Sequence, residues 1–242
     1  MRGRCVQPKT TIMKKILLTL IAVCALTLSY GQKTEFRISL NSGLFSFHGK
    51  SAEKISFINY NDKTQSGYTN NPYASENGLC FGLSGNIKRV TIKNFIFGID
   101  LGYEVLRSKI QIDEIFGYTG SSTYQIPAKG QTFFKYSCIN LNPFWGYRLA
   151  TKPINFDLTG GLDLGDCLRT KEDGTATAAN GVSYIASGNR NIIKFEIRPR
   201  IQIAADYKKF GAYLGYSFGF LMHSTNGCHE RLLRFGLTYQ LK

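Results

Sequence analysis

The sequence predicts an all-β protein, an eight-stranded antiparallel up-and-down transmembrane β-barrel with short periplasmic turns and long extracellular loops. Apolar and polar residues alternate along most of the chain, short and long connections also alternate, and no apolar run after residue 31 is long enough for a membrane-spanning helix. The stretch "KFEIRPRIQIA" (194–204) illustrates the alternation, because a charged or amide side chain stands at every second position. A period of two is typical of a strand, whose successive side chains leave opposite faces.

Residues 13–31 have the layout of a secretory signal peptide, and residues 1–12 are interpreted as an upstream extension. A basic start precedes the apolar run 16–28, which is too short to span a bilayer as a helix. Small residues precede the predicted cleavage site between Gly31 and Gln32 at the positions that a signal peptidase requires. We therefore expect the protein to be exported.

The remaining chain, residues 32–242, is predicted to form one outer-membrane β-barrel domain. Loss of residues 1–31 lowers the formal net charge from +14 to +9, because it removes five basic residues and no acidic one. A lipoprotein anchored through Cys24 is the alternative, but Val23 stands where the lipidation signal requires a small residue.

Eight segments with alternating polarity are predicted as strands, and their boundaries are defined to about three residues. They are residues 34–47, 79–88, 94–112, 132–149, 154–168, 190–206, 210–221 and 232–242. The short connections are 89–93, 150–153 and 207–209, and the long ones are 48–78, 113–131, 169–189 and 222–231. Short turns at one end and long loops at the other are typical of an outer-membrane barrel.

The two faces of the predicted strands differ as a membrane barrel requires. In the third segment, Phe95 and Phe97 share the apolar face, whereas Asp100 lies on the face of small and polar residues. Aromatic residues gather toward the strand ends, as in the interface girdles of membrane barrels. A soluble lipocalin-type barrel is the structural alternative, and it would need the aromatic face inside. We expect a bulge at Pro143 and at Pro199, because proline removes a ladder donor.

Two stretches carry a resemblance to a known family. "INLNPFWGYRL" (139–149), a short turn and "FDLTGGLDLG" (156–165) resemble the central hairpin of the outer membrane protein β-barrel domain family, the small porin-like or PorT-like barrels of Gram-negative bacteria. "LLRFGLTYQLK" (232–242) is similar to the closing strand that the insertion machinery reads, although Leu241 and Lys242 stand in place of a terminal Phe. The resemblance implies a cell outer membrane location and this fold, and it carries no catalytic residue.

The sequence contains no phosphate-binding glycine loop, no CxxC pair and no HExxH motif. A hydrolytic or metal site at the outer rim is one hypothesis, because the first and last strands must meet to close the barrel. Its residues would be His48, His223, Ser224, Cys228, His229 and Glu230. Exposed loops commonly contain histidine, so we expect no enzyme, no metal and no cofactor, with a lipid-modifying enzyme as the alternative.

Four cysteines follow the predicted signal peptide and admit three pairings. Cys167 and Cys228 lie at predicted loop bases, where the oxidising cell envelope favours a disulfide. Cys80 and Cys138 have inward parity and are interpreted as buried small residues.

Basic residues gather at the short-turn end, where they would face anionic headgroups or cell-wall polymer, or simply water. They are Lys88, Arg89, Lys93, Lys152, Lys208 and Lys209. No basic stripe interleaved with aromatic residues is present, so we expect no nucleic-acid partner. The expected partners are outer-membrane lipids, lipopolysaccharide, the barrel insertion machinery and an extracellular ligand bound through the loops, and the chain is expected to be a monomer.

The predicted inner face carries charges of both signs. Its residues are Arg37, Arg148, Lys194, Arg198, Arg200 and Arg234 against Asp100, Glu104, Asp157, Asp163 and Glu196. This near-balance in a narrow lumen favours an ion-pair network over a conducting channel, which would have one dominant sign. We expect Arg198 and Arg200 to bridge to Asp163 and Asp157. The predicted function is therefore a structural or surface-interaction barrel with a plugged lumen, and a narrow passive pore is the alternative.

Overall fold

The computed structural model describes residues 33–190, 193–221 and 227–241. These residues form an all-β fold of eleven strands. The strands are β1 Lys33–Gly49, β2 Ile55–Asn61, β3 Ser66–Thr69, β4 Glu76–Val90, β5 Phe95–Tyr118, β6 Thr123–Ala150, β7 Ile154–Ala178, β8 Ser183–Asn189, β9 Phe195–Tyr207, β10 Phe210–Leu221 and β11 Cys228–Gln240. Among the described residues, no helix is long and apolar enough to cross a membrane.

Antiparallel pairings join β1, β4, β5, β6, β7, β9, β10 and β11 in that order, and β11 pairs back to β1. We call this closed ring the main ring. Each of its strands overlaps one of the segments predicted from sequence, but β5, β6 and β7 extend well beyond theirs, and β9 begins at Phe195 and not at residue 190. The alternation of side chains explains why the sequence indicates where these strands lie. A segment with one apolar and one polar face is extended, and its backbone N–H and C=O groups find hydrogen-bond partners only by pairing with neighbouring strands.

A second closed ring, the upper ring, was not predicted. The far ends of β5, β6 and β7 continue past the main ring, and β8, β3 and β2 complete the circle back to β5. The prediction that 48–78, 113–131 and 169–189 are loops is therefore wrong for most of their length. Apolar side chains cause the continuation, because Ile112, Ile115 and Ala176 are buried inside the upper ring together with Ile58 of β2.

The opposite end of the main ring has short turns. They comprise residues 91–94, 151–153 and 208–209. Asn94 and Lys208 adopt left-handed backbone conformations, with φ of 63° and 53°, which tight turns require. We call this the turn end.

The two prolines do not produce the predicted bulges. Pro199 lies opposite Leu162 in an unshifted β7–β9 register, and Pro143 lies opposite Ile99 in β5. On its other side, Pro143 interrupts the β6–β7 ladder and Pro199 interrupts the β9–β10 ladder. In both ladders the register is the same before and after the interruption. Proline therefore removes ladder pairs on one side of its strand without inserting a residue.

Candidate functional site: the charged interior of the main ring

The alternation along β9 places charge inside the main ring and apolar groups outside it. Arg198 is 0% exposed and Arg200 is 8% exposed, whereas Ile201 between the interior positions is 67% exposed. The same arrangement holds on the other strands, since Leu40 and Leu237 are 64% and 67% exposed. The interior is therefore polar and the exterior is apolar.

The interior near the turn end contains six charged groups, three of each sign, which we call the turn-end layer. Its members are Glu35, Arg37, Lys88, Arg148, Asp157 and Asp206, and all are buried. Arg148 donates from Nε to Asp157 Oδ1 over 2.7 Å and from Nη1 to Glu35 Oε1 over 2.9 Å. Arg37 bridges Glu35 at 2.7 Å and Asp206 at 2.5 Å. Each charge in this layer therefore has a partner of opposite sign.

Further along the interior, eight charged groups form the central layer. Its members are Asp100, Glu104, Asp163, Glu196, Arg198, Arg200, Glu230 and Arg234. Asp163 is fully buried and accepts hydrogen bonds from Arg200 Nη1 at 3.1 Å, Asn142 Nδ2 at 2.9 Å and Ser217 Oγ at 3.0 Å. Arg234 Nη1 also lies 3.3 Å from Asp163 Oδ2. Asp163 is thus the most heavily coordinated carboxylate of the layer.

Arg198 links several carboxylates of the central layer. Its Nη2 lies 2.9 Å from Glu196 Oε1 and 3.2 Å from Glu104 Oε2. Glycines provide the necessary space, because a Cβ at Gly219 would lie 2.5 Å from Arg198 Cγ, and one at Gly165 would lie 2.6 Å from Glu196 Cγ. Small residues on the inner face therefore accommodate the long charged side chains.

The structure corrects two details of the predicted network. Asp157 pairs with Arg148 and Lys88, whereas Arg200 pairs with Asp163 and Asp100 and not with Asp157. Lys194, predicted to face inward, is exposed. It precedes the first residue of β9, so the strand alternation does not extend to it.

Four members of the two layers were missed by sequence reasoning. Glu35 lies two residues from Arg37 in β1, and Glu230 lies four residues from Arg234 in β11. An even spacing within one strand places side chains on the same face, so the sequence contained a signal for both glutamates. Lys88 and Asp206 were assigned to strand ends, but the strands continue far enough to bury both side chains.

An aromatic plug lies between the central layer and the upper ring. Its rings belong to Phe45, Phe47, Phe134 and Tyr136, and they pack edge-to-face or tilted except for the stacked pair Phe47–Tyr136. The centroids of Phe45 and Phe47 are 5.0 Å apart. The Tyr136 hydroxyl donates to Glu230 Oε1 over 3.1 Å, which joins the plug to the central layer. Two interior cavities in the charged region have volumes of about 40 and 10 Å³. Such cavities have room for isolated water molecules only.

No protein-family model and no curated protein matches this chain. Among solved structures, Ail, the attachment invasion locus protein of Yersinia pestis, is 11% identical over 86% of this chain and 99% of that chain, with a TM-score of 0.41. Neisserial surface protein A is 11% identical over 87% and 99%, with a TM-score of 0.38. The translocator domain of the autotransporter NalP from Neisseria meningitidis is 10% identical over 94% and 95%, with a TM-score of 0.22.

The chain resembles outer-membrane β-barrel proteins. The identities of 10–11% and the TM-scores below 0.5 make this a distant likeness of fold alone.

Only part of the hydrolytic or metal site predicted at the outer rim lies within the described residues. His48 and His229 are directly opposed on β1 and β11, so ring closure does bring these two histidines together. Ser46 Oγ lies 3.3 Å from His48 Nε2. Glu230, however, points into the interior and is fully buried. His223 and Ser224 lie outside the described residues.

The cysteine that lies opposite Cys167 is Cys138, and not Cys228 as the sequence suggested. The two Sγ atoms of Cys138 and Cys167 are 2.7 Å apart, and these residues are directly opposed on β6 and β7. Cys228 is opposed to Gly49 of β1 and packs within the aromatic plug, where Cys80 is also buried. A register shift between Ser137 and Cys138 produces this arrangement, and it was not visible in the sequence pattern.

The outer surface of the upper ring carries a second candidate site, which we call the aromatic–amide face. Register places Tyr68, Asn59 and Phe116 in one row across β3, β2 and β5, and Asn61 and Tyr118 in the next row. The three aromatic side chains are 49%, 39% and 45% exposed, in the order Tyr68, Phe116 and Tyr118. These five residues line a surface cavity of about 620 Å³. This face therefore combines exposed rings with amide groups in an open cavity.

Arg190 and Glu172 lie at the edge of the same cavity. Arg190 stacks over the Tyr68 ring at 5.0 Å, donates from Nη2 to the Thr69 carbonyl over 2.9 Å, and has its Nε 3.7 Å from Glu172 Oε2. Burial raises the pKa of Glu172, and the positive charge of Arg190 opposes this shift. The charge of Arg190 is therefore already engaged within the protein.

Proposed function

We propose that the protein is an integral outer-membrane β-barrel in which the eight strands of the main ring span the bilayer, the lumen is plugged, and the upper ring presents a binding face outside the cell. The inverted polarity of the main ring is the observation that carries the proposal. Arg198 and Asp163 are fully buried, whereas Phe81, Leu40 and Leu237 are each at least 60% exposed. In water this arrangement would expose a continuous apolar surface, whereas in a bilayer the same surface contacts lipid.

The dimensions of the strands support this placement. β9, β10 and β11 contain 13, 12 and 13 residues, and a tilted membrane strand needs about 9–11 residues. Aromatic residues surround the turn end, where Phe95 packs on Tyr147 and Phe210 packs on Tyr239. Rings at this level match the interface girdles of membrane barrels.

The paired charges and the plug support a non-conducting lumen. The turn-end layer is balanced, the central layer has three arginines against five carboxylates, and aromatic rings close the space above them. A conducting pore would instead require a continuous water path lined by accessible groups. We therefore favour a structural or surface-interaction role over a passive pore.

Export through a signal peptide is part of the same proposal. The predicted extension 1–12, the predicted signal peptide 13–31 and the cleavage site between Gly31 and Gln32 all lie outside the described residues. Lipopolysaccharide and the insertion machinery are the partners that an outer-membrane position entails.

We infer that the aromatic–amide face binds a neutral saccharide. The C–H faces of a sugar pack against exposed rings such as Tyr68 and Phe116. Its hydroxyl groups pair with Asn59 Oδ1 and Asn61 Nδ2, since the other atoms of these amides already bond within the protein, Asn59 Nδ2 to Asn70 and Asn61 Oδ1 to Lys63. The charge of Arg190 is satisfied by Glu172 and Thr69, so an anionic ligand is not required.

Cell fractionation combined with a heat-modifiability gel tests the membrane placement. We expect the protein in the outer-membrane fraction and a faster-migrating band in unheated samples, because a closed ring leaves no strand edge for detergent to attack. Recovery of the processed protein in the soluble periplasmic fraction would contradict the proposal. Amino-terminal sequencing of the same band tests cleavage before Gln32.

A further inference from the structure

Cys138 and Cys167 meet where β7 exchanges one partner for another. Asp166 is the last residue of β7 to pair with β9, and Lys171 is the first to pair with β8. The backbone N–H of Cys167 donates to the Lys194 carbonyl over 2.8 Å. The two cysteines therefore lie at the boundary between the main ring and the upper ring.

We propose that Cys138 and Cys167 form a disulfide bond that fastens β6 to β7 at the boundary between the main ring and the upper ring. This proposal rests on the proposed location in the cell envelope, where disulfides form and persist. It replaces the pairing of Cys167 with Cys228 that the sequence suggested.

The geometry of the pair supports a bond. Directly opposed residues of antiparallel strands have Cα atoms about 4.5–5.5 Å apart, which lies within the range of about 4.4–6.8 Å found for disulfides. The Cys138 and Cys167 sulfurs are 2.7 Å apart. Non-bonded carbon atoms are in contact at about 3.5–4.0 Å, and sulfur is larger than carbon, so this separation is shorter than a non-bonded contact. The two side chains thus already point at each other.

A metal site is the competing explanation, because Cys138, Cys167 and Glu196 place three potential ligand atoms within 4.8 Å of one another. Two thiolates on a tetrahedral zinc, each about 2.3 Å from the metal, would be about 3.8 Å apart. The two sulfurs lie 2.7 Å apart, closer to each other than in that arrangement. In addition, the Arg198 guanidinium lies 2.9 Å from Glu196 and would repel a divalent cation. The disulfide therefore fits these residues better.

Formation of the bond requires an oxidant, which an envelope protein containing an exchangeable disulfide supplies. Cys167 is partly exposed and lines a surface cavity of about 310 Å³, whereas Cys138 is buried. Cys167, as a thiolate, attacks the oxidant's disulfide and forms a mixed disulfide. Cys138 then displaces the oxidant's sulfur and forms the S–S bond. Two thiols lose two protons and two electrons, and the oxidant leaves as a dithiol.

Peptide mapping by mass spectrometry of protein purified from outer membranes without reductant tests the bond. The sample is denatured and alkylated before digestion. We expect a peptide containing Cys138 linked to one containing Cys167, and its disappearance on reduction. Cys138→Ser should make Cys167 available for alkylation, whereas the control Cys80→Ser should leave the linked peptide intact.

Several outcomes would overturn the proposal. They are complete alkylation of Cys138 and Cys167 before reduction, a peptide linking Cys167 to Cys228, and zinc in stoichiometric amount whose removal by a chelator exposes both thiols. Because the sample comes from outer membranes, free thiols there would contradict the disulfide alone. Absence of the protein from that fraction would contradict the proposed function.

Limited proteolysis tests the fastening role. In intact cells or proteoliposomes, reduction or Cys138→Ser should increase trypsin cleavage after Arg169 or Lys171 severalfold, while the membrane-embedded core stays protected. Equal cleavage of reduced and oxidised protein would exclude a fastening role.

Discussion

Arg148 and Asp157 form a two-bonded ion pair inside the main ring, with Arg148 Nε 2.7 Å from Asp157 Oδ1 and Nη2 2.9 Å from Oδ2. The two residues are directly opposed on β6 and β7, on either side of the 151–153 turn. Arg148 also binds Glu35 on β1, so one guanidinium connects three strands of the ring. Pairs of this geometry hold both partners in a single orientation.

Removal of one partner of this pair should destabilise the barrel strongly. Asp157→Ala removes a carboxylate that neutralises the buried charges of Arg148 and Lys88. The free energy of unfolding should therefore fall by roughly 3–5 kcal/mol. Urea unfolding in detergent micelles, followed by fluorescence of the single tryptophan Trp145, measures it. Asp173→Ala is the matched control, because its partner Lys135 is at the surface and such pairs contribute less than about 1 kcal/mol. Equal effects of both variants would contradict a buried network.

Planar-bilayer recording tests whether the interior is closed. The wild-type protein should show no steady conductance, because paired charges and the aromatic plug fill the lumen. Arg198→Ala combined with Arg200→Ala should leak, since it opens space in the central layer and leaves carboxylates to attract cations. Arg169→Ala, which removes an exposed arginine, is the control and should stay silent. A large and steady wild-type conductance would instead support the passive-pore alternative.

The aromatic–amide face predicts binding of neutral oligosaccharides. On a glycan array probed with detergent-solubilised protein, Tyr68→Ala and Phe116→Ala should each weaken binding about tenfold, equivalent to about 1.4 kcal/mol. Tyr68→Phe keeps the ring and should retain most of the affinity. Val182→Ala, which alters an exposed apolar residue at the β7–β8 turn, should have no effect. No bound neutral glycan, or binding that survives both alanine substitutions, would contradict the inferred ligand.

Glu172 predicts a pH dependence of the upper ring. Burial raises the pKa of this carboxyl group, so the folded protein holds the proton more tightly than the unfolded chain does. The stability of the upper ring should therefore be highest below the unfolded-state pKa of about 4.3 and should fall as the pH rises through the raised pKa.

Glu172→Gln should remove this pH dependence and stabilise the upper ring at neutral pH. A glutamine oxygen still accepts the bond that the Thr69 N–H donates to Glu172 Oε2 over 3.3 Å. Hydrogen exchange of the β3 and β8 amides between about pH 4 and pH 8, corrected for intrinsic exchange, measures the effect. Asp113→Asn removes an exposed carboxylate at the same end and is the control. Greater wild-type protection at high pH than at low pH would show that the sign is wrong.

Local patterns were sufficient to predict a central part of each strand of the main ring and the direction of its two faces. The alternation in "KFEIRPRIQIA" correctly indicates that Arg198 and Arg200 share a face with Glu196, because parity depends only on neighbouring residues in one strand. Ring closure likewise predicted that His48 and His229 would meet.

Such patterns do not show which residues of two neighbouring strands lie opposite each other. Asp157 was matched to Arg200, but the register places it beside Arg148 and within reach of Lys88. The upper ring was missed for a similar reason, because β2, β3 and β8 have seven residues or fewer and two of its junctions are parallel pairings between distant segments.

The sequence by itself determined a polar face and an apolar face on each long strand, and with them an all-β fold with charge on one side. Only the tertiary structure decided which charges pair, that the loops form a second ring, and that Cys138 faces Cys167. The physical reason is that side-chain parity follows from the geometry of one strand, whereas register and bulges depend on how two strands satisfy their hydrogen bonds together. A shift of one residue, such as that between Ser137 and Cys138, changes which side chains meet without changing the pattern along either strand.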